Sequence, residues 1–281
     1  MQEIISLHHI EKVFRKKKVL KDISFSIPKG SICAFLGPNG TGKSTLLLII
    51  MQLLVPTSGE VRMNGHKVLK HKIGFVFQEN TFDEELTVYE NLMIRGKLYA
   101  LSTKTIKQKI LSLSQAFGMN SFLYKKYKIC SGGEKRMAMI ARALLMNPEI
   151  IIMDEPTTAL DLEMRKKVWD FLLKLNKEKG VAIFFSSHYI EEAEVATNLC
   201  ILKEGRIIFT GTYPSLIERY SKKHLQIQYK NHVEKKEISS IESAFHYLEQ
   251  LSWGQVDTFS VTNSNLEDIF LKLIHYENLS S

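Results

Sequence analysis

A chain of 281 residues with 44% hydrophobic and 24% charged positions has the composition of an ordinary globular protein, long enough for one large α/β core and a small appendage. Its net charge of +8 and pI near 9.2 would suit nucleic acid or an anionic membrane, but the basic residues are scattered and their one run, Arg15 to Lys18, reads as a solvated turn between strands. Cys33, Cys130 and Cys200 are odd in number and too widely spaced to ligate a metal, which predicts reduced thiols in a cytosolic compartment.

Ile4 to Ile27 alternates apolar and polar residues in two runs, which predicts an antiparallel subdomain. Pro28-Lys29-Gly30 then turns into Ser31–Leu36, a short run of buried-strand character. Directly after it stands Gly37-Pro38-Asn39-Gly40-Thr41-Gly42-Lys43-Ser44-Thr45, which fits the phosphate-loop spacing Gly-x-x-x-x-Gly-Lys-Ser. Gly37, Gly40 and Gly42 let successive N–H groups turn inward around a phosphate, Lys43 reaches the β- and γ-phosphates, and Ser44 offers a hydroxyl to Mg²⁺. The helix that starts here aims its positive end at the anion. Its apolar run, Leu46 to Val55, is expected to stop at Pro56. That run is the longest apolar stretch, is interrupted by Gln52 and is too short to span a bilayer; no signal peptide opens the chain, so another chain is expected to do any crossing.

Asn64-Gly65 predicts a hairpin within Gly59–Val68, and Ile73–Phe77 reads as a strand ending at Gln78. Thr87 to Phe117 turns helical, with Leu92, Leu98 and Leu101 among polar residues, as a helical insertion. Cys130-Ser131-Gly132-Gly133-Glu134 opens a helix whose apolar face is Met137, Ile140, Ala141, Leu144 and Leu145, with Pro148 ending the run. Ser131 and Glu134 have capping-box spacing. Capping gives no reason for the paired glycines, which weaken a helix start unless something approaches the backbone closely.

Ile150–Met153 reads as a buried strand that delivers Asp154 and Glu155 at its carboxyl end, where open α/β sheets place their ligands. Adjacent carboxylates there are costly without a cation or a proton to transfer. Asp154 fits a Mg²⁺ partner and Glu155 a general base for water. An amphipathic helix follows over Asp161–Gly180, faced by Met164, Val168, Phe171, Leu172 and Leu175, then a strand at Val181–Phe185 and Ser186-Ser187-His188. If that strand lies beside the acids, His188 points at the same phosphate.

In order and spacing, Gly37–Thr45, Gln78, Cys130–Glu134, Asp154-Glu155, Ala159–Asp161 and His188 resemble the nucleotide-binding subunit of ATP-binding cassette transporters. The resemblance covers about residues 4–215 and implies an α/β fold: a phosphate-loop NTPase core with an antiparallel β subdomain and a helical signature subdomain. It implies a cassette over residues 1–220, with the insertion at about 87–147, while the pattern of the tail reads as a separate small α+β module at 221–281. ATP and Mg²⁺ are the implied cofactors. The loop residues would hold the phosphates, Ser44, Gln78 and Asp154 the Mg²⁺, and Gln78 would also sense the attacking water and couple to the membrane partner. Glu155 would be the catalytic base and His188 the γ-phosphate contact. Ser131, Gly132 and Gly133 would close over the ATP of a second cassette, with Asp161 at the seam, and Phe14 would stand where the family stacks an aromatic on adenine. The implied partners are an integral-membrane permease and a second cassette, a copy or a homologue, on the cytoplasmic face of the membrane.

Cys130 stands where the family usually has Leu, Glu134 where Gln is commoner, and Phe77 where Pro is frequent. The tail alternates at Leu225–Tyr229, shows a helical face of Ile241, Ala244, Phe245 and Leu248, a strand-like Val256–Val261 and a capped helix over Asn265–Ile274. Its ending resembles that of drug- and antibiotic-resistance exporter ATPases of the daunorubicin type, which serve a separate permease. An importer ATPase is the alternative within the class. A cassette ATPase acting on ribosomes or DNA is the alternative outside it, but the single phosphate loop and lack of a sustained heptad run disfavour it, and no nucleic acid is expected.

Overall fold

A computed structural model of the chain describes residues 2–79, 81–251 and 256–275, which fall into two compact units, Met1–Thr210 and Gly211–Ser281. In the first unit β1 (Glu3–Phe14) pairs antiparallel with β2 (Lys17–Pro28) and with β4 (Ser58–Met63), and β5 (His66–Lys67) completes the sheet in the order β2-β1-β4-β5. Asn64 and Gly65 both have positive φ, 51° and 77°, which gives the β4–β5 hairpin the twist of its strands.

A second, six-stranded sheet runs β10-β9-β3-β8-β7-β6, built from β3 (Ile32–Leu36), β6 (Ile73–Val76), β7 (Ile150–Asp154), β8 (Ala182–Ser187), β9 (Asn198–Lys203) and β10 (Arg206–Gly211). The pairs β3–β8, β3–β9, β6–β7 and β7–β8 are parallel. Covered on both faces, β3 and the Ala182–Phe185 part of β8 are continuous apolar runs rather than alternating ones. Between the two sheets lies α1 (Lys43–Ile50), whose Leu46, Leu47, Ile49 and Ile50 join Ile5, Leu7, Ile10, Leu20, Phe35, Ile152 and Phe184 in one core. α1 is shorter than its apolar run predicts: Gln52 turns left-handed at φ 58°, and the amides of Leu53 and Leu54 both bond to the Leu48 carbonyl. That wrap ends the helix before Pro56 can clash.

The helical insertion comprises α2 (Val88–Leu98), α3 (Thr103–Phe117) and α4 (Gly132–Leu144). Met137, Ile140, Ala141, Leu144 and Leu145 are all buried, as the periodicity predicts. α5 (Leu162–Lys179) buries Val168, Leu172 and Leu175, together with Trp169.

In the second unit β11 (Lys223–Tyr229) is flanked by β12 (Val233–Ile238) and β13 (Val256–Asn263), with α6 (Tyr213–Tyr220), α7 (Ile241–Glu249) and α8 (Leu266–His275). β12 is rich in Glu and Lys and carries no strand signal of its own; its pairing with β11 makes it a strand. The expected apolar face of α7 is half right. Ala244 and Leu248 enter the core with Leu225, Ile227 and Ile238, whereas Ile241 and Phe245 lie on the neighbouring stripe, 51% and 58% exposed. The expected cap of α8 is present, with Asp268 N–H donating to Asn265 Oδ1 at 2.6 Å.

α4 approaches β6 closely at Gly74, where an added Cβ would lie 2.7 Å from the Ala143 carbonyl oxygen and 3.0 Å from Pro148 Cγ. Backbone cannot yield as a side chain can, so Gly74→Ala is expected to cost about 1–3 kcal/mol by overpacking. A lowered denaturant midpoint with unchanged slope would show it; an unchanged midpoint would mean that α4 is free to shift away.

Candidate active site

Strand register brings the site together. Leu36 pairs with Ser187, Asp154 with Ser186 and Val76 with Met153, so the residues just beyond four parallel strands stand at one level. Those residues are Gly37 after β3, His188 after β8, Glu155 after β7 and Gln78 after β6. None of these neighbours is adjacent in sequence.

At Gly37 a Cβ would meet the Leu202 carbonyl oxygen at 2.4 Å, and Gly42 takes φ 108°, so the loop's path requires glycine at both ends. Lys43, 5% exposed, donates from Nζ to the Gly37 and Pro38 carbonyls at 2.6 and 3.0 Å. Burial lowers its pKa, and the charges of Glu155 and Asp154 oppose that shift. A buried ammonium held by neutral carbonyls, at a helix start with its amides free of intrahelical partners, fits a phosphate. Ser44 is exposed on the first turn of α1.

Glu155 has φ 47°, a conformation that costs a non-glycine residue about 1–3 kcal/mol. Its N–H bonds to Ser186 Oγ at 3.1 Å and to Ser186 O at 3.2 Å. On its carboxyl group converge Gln78 Nε2 at 3.3 Å, Thr158 Oγ1 at 3.0 Å and His188 Nδ1 at 3.1 Å. Asp154 Oδ1 accepts from Ser186 Oγ. The donor set of Ser44, Gln78 and Asp154 is all oxygen on its acceptor side, which suits Mg²⁺. Among the described residues no three His, Cys, Asp or Glu side chains cluster as a metal site.

The remaining predicted residues lie elsewhere. Ser131 caps α4, its Oγ accepting from Glu134 N–H at 3.2 Å while Glu134 Oε2 accepts from Ser131 N–H at 2.9 Å. At Gly133 an added Cβ would meet the flexible Met164 side chain, Cε at 2.3 Å and Cγ at 2.9 Å; Gly132 has nothing nearer than 4.0 Å and is exposed. Asp161 caps α5, accepting from Met164 N–H at 2.8 Å. Phe14 ends β1 with its ring 43% exposed and Lys12 Nζ 5.0 Å from its centroid. Cys130 is buried, and burial raises its pKa.

Three features escape sequence reading. Thr158 adds a hydroxyl to Glu155. Arg136 of α4 donates to the carbonyls of Phe77, Asp154, Glu155 and Pro156; the available signal is that it lies one turn before buried Ile140. Glu192 lies in the 3-10 helix Ile190–Val195, buried, and its Oε1 accepts from Thr157 Oγ1 and from Trp169 Nε1 at 3.2 Å.

Residues 20–158 match the family model described as ABC transporter. The chain is 33% identical over 294 aligned positions to the Nod factor export ATP-binding protein I of Rhizobium johnstonii, covering 96% of this chain and 94% of that one. It is 36% identical to the linearmycin resistance ATP-binding protein LnrL of Bacillus subtilis, over 77% of this chain and 71% of that one. The chain belongs to the ABC transporter ATPase family. This ABC ATPase is also 34% identical to the spermidine/putrescine import ATP-binding protein PotA of Bacteroides thetaiotaomicron, over 75% of this chain but only 48% of that one. Among solved structures, the dimeric post-hydrolysis state of the cassette MJ0796 bound to ADP and Pi superposes with a TM-score of 0.68 at 31% identity, over 74% of this chain and 98% of that one. The ABC ATPase has no helix among its described residues that is long and apolar enough to cross a membrane.

Removing the Glu192 carboxyl leaves the Thr157 hydroxyl and the Trp169 indole N–H buried without their acceptor. Glu192→Ala is expected to destabilise the first unit by roughly 1–3 kcal/mol for each stranded donor. Urea unfolding followed by tryptophan fluorescence measures it, and a wild-type midpoint would remove Glu192 as their anchor.

Proposed function

We propose that this ABC ATPase is the energising subunit of a multisubunit exporter, binding MgATP between two cassettes and driving a separately encoded integral-membrane permease from the cytoplasmic face. The observation that carries the reading is the convergence of Gln78, Thr158 and His188 on the Glu155 carboxyl group, beside the buried Lys43 amine. Lys43 and the N–H groups of residues 39–45 hold the β- and γ-phosphates. Glu155 accepts the proton of the attacking water, Gln78 orients that water, and His188 holds the γ-phosphate while contacting Glu155. Ser44, Gln78 and Asp154 would hold Mg²⁺, which offsets phosphate charge when bound. The exposed ring of Phe14 offers a face for adenine.

The N-terminus of α4 at Ser131–Gly133 presents a helix dipole and an open glycine at Gly132, and we assign it to the γ-phosphate bound by a second copy of the chain, with Asp161 at the seam. The dimeric form of the related cassette supports this pairing. For the direction of transport, the export and resistance relatives weigh more than the importer: similarity to the Nod factor export protein runs through 96% of the chain, tail included, while PotA matches 75% of it.

Glu155→Gln keeps the shape of the side chain but removes the proton acceptor, so it is expected to bind ATP within about threefold of wild type while turnover falls by about 100-fold or more. Equilibrium ATP binding and phosphate release, measured on one preparation, check both. Wild-type turnover would take the base role from Glu155. The transporter reading is tested by capturing the tagged chain from its native membranes in mild detergent: an integral-membrane protein is expected in stoichiometric amount, and capture of ribosomes or nucleic acid instead would overturn it.

A further inference from the structure

Arg136 lies on α4, 8% exposed, with four donated hydrogen bonds: Nη1 to the Phe77 carbonyl at 2.7 Å, Nη2 to those of Asp154 at 3.0 Å and Glu155 at 2.6 Å, and Nε to that of Pro156 at 2.5 Å. Every acceptor is a backbone carbonyl at the carboxyl end of β6 or β7. A carbonyl bond fixes the plane of its peptide, and these peptides lead into Gln78 and flank Glu155 on both sides. Glu155 is in the left-handed conformation, which persists only where its surroundings impose it. Arg136 imposes it from one side and Ser186 from the other. Burial lowers the pKa of Arg136 to about 10, so it remains charged at neutral pH, close enough to feel the charges of Asp154, Glu192 and Glu155.

The same helix begins at Ser131–Gly133. A second arginine of α4, Arg142, donates to Phe75 O at 3.2 Å and to Thr81 Oγ1, so the segment carrying Gln78 is gripped from this helix on both sides. We propose that Arg136 is a positioning residue that links the two nucleotide sites of the dimer: it locks the helix start offered to the partner's ATP to the strand ends that aim this chain's own Gln78 and Glu155. The proposal rests on completion of each site by a second copy. Lysine would keep the charge, but its single amine cannot reproduce the planar fork that spans four carbonyls.

The test places Arg136→Lys in one chain of a defined dimer. Lys43→Ala disables a chain's phosphate loop and Ser131→Arg its signature helix, so a mixture of the two variants holds one intact site, made of the loop from the Ser131→Arg chain and the signature from the Lys43→Ala chain. Arg136→Lys is then added to either chain, with folding checked by thermal melting; should the lysine variant not fold, Arg136→Gln takes its place. Turnover of the intact site is expected to fall about tenfold or more whichever chain carries the change, with KM for ATP within about threefold. Loss only in the chain supplying the loop would make Arg136 a support of Glu155 alone, and loss only in the chain supplying the signature a support of α4 alone; either result, or no loss, overturns the link. If the mixed dimer is inactive before Arg136 is changed, it is the completion in trans that fails, and the link with it.

Discussion

Parallel pairing of β3, β8, β7 and β6 is the constraint on which the site depends. In a parallel sheet all carboxyl ends point the same way, and the register fixes how far each strand's last residue reaches. A slip of one residue in β7 against β8 would turn Glu155 to the opposite face and move Asp154 from Ser186. The apolar content of the strands enforces the register, because both faces are buried and every misplacement would strand large side chains such as Phe184 and Phe185. Fold and chemistry are thus joined in one set of ladders.

Around those strand ends the chain keeps charge where burial opposes it. Lys43 and Arg136 are both buried cations whose pKa values burial lowers, and both are stabilised by the carboxyl groups of Asp154 and Glu155. Two adjacent acids would otherwise repel each other. One cation lies on the loop side, held by the Gly37 and Pro38 carbonyls, while the other is engaged with four carbonyls at the ends of β6 and β7. The left-handed Glu155 fits the same pattern, a strained residue held in place by its neighbours at the point where the chemistry is assigned.

Much of this was legible in the sequence because it is written locally. The loop from Gly37 to Thr45, the capping box of Ser131 and Glu134, the hairpin at Asn64-Gly65 and the acids ending β7 each depend on residues within a few positions of one another. Strand order is not local, so the meeting of Gln78, Glu155 and His188 followed from resemblance and an assumed strand order, and needed the register of two ladders, β6–β7 and β7–β8, to become geometry. Arg136 and Glu192 were missed for a physical reason: a charged residue on a helix ordinarily faces water, and only tertiary packing turns these two inward. β12 was missed because neighbours rather than propensity make it a strand. Within the glycine pair the surroundings differ, with Gly133 packed against the Met164 side chain and Gly132 open, which sequence spacing does not reveal.

At the centre of the account is the proposal that one chain supplies the site only in part, its loop and acids needing a second copy's Ser131–Gly133 to close over the nucleotide. The most direct measurement is the molar mass in solution of a hydrolysis-deficient chain, by light scattering, with and without saturating MgATP. The account predicts one chain's mass of 32.3 kDa without nucleotide and twice that with it, reversed when MgATP is removed. A chain that binds MgATP fully yet keeps the mass of a single copy at every protein concentration would contradict it.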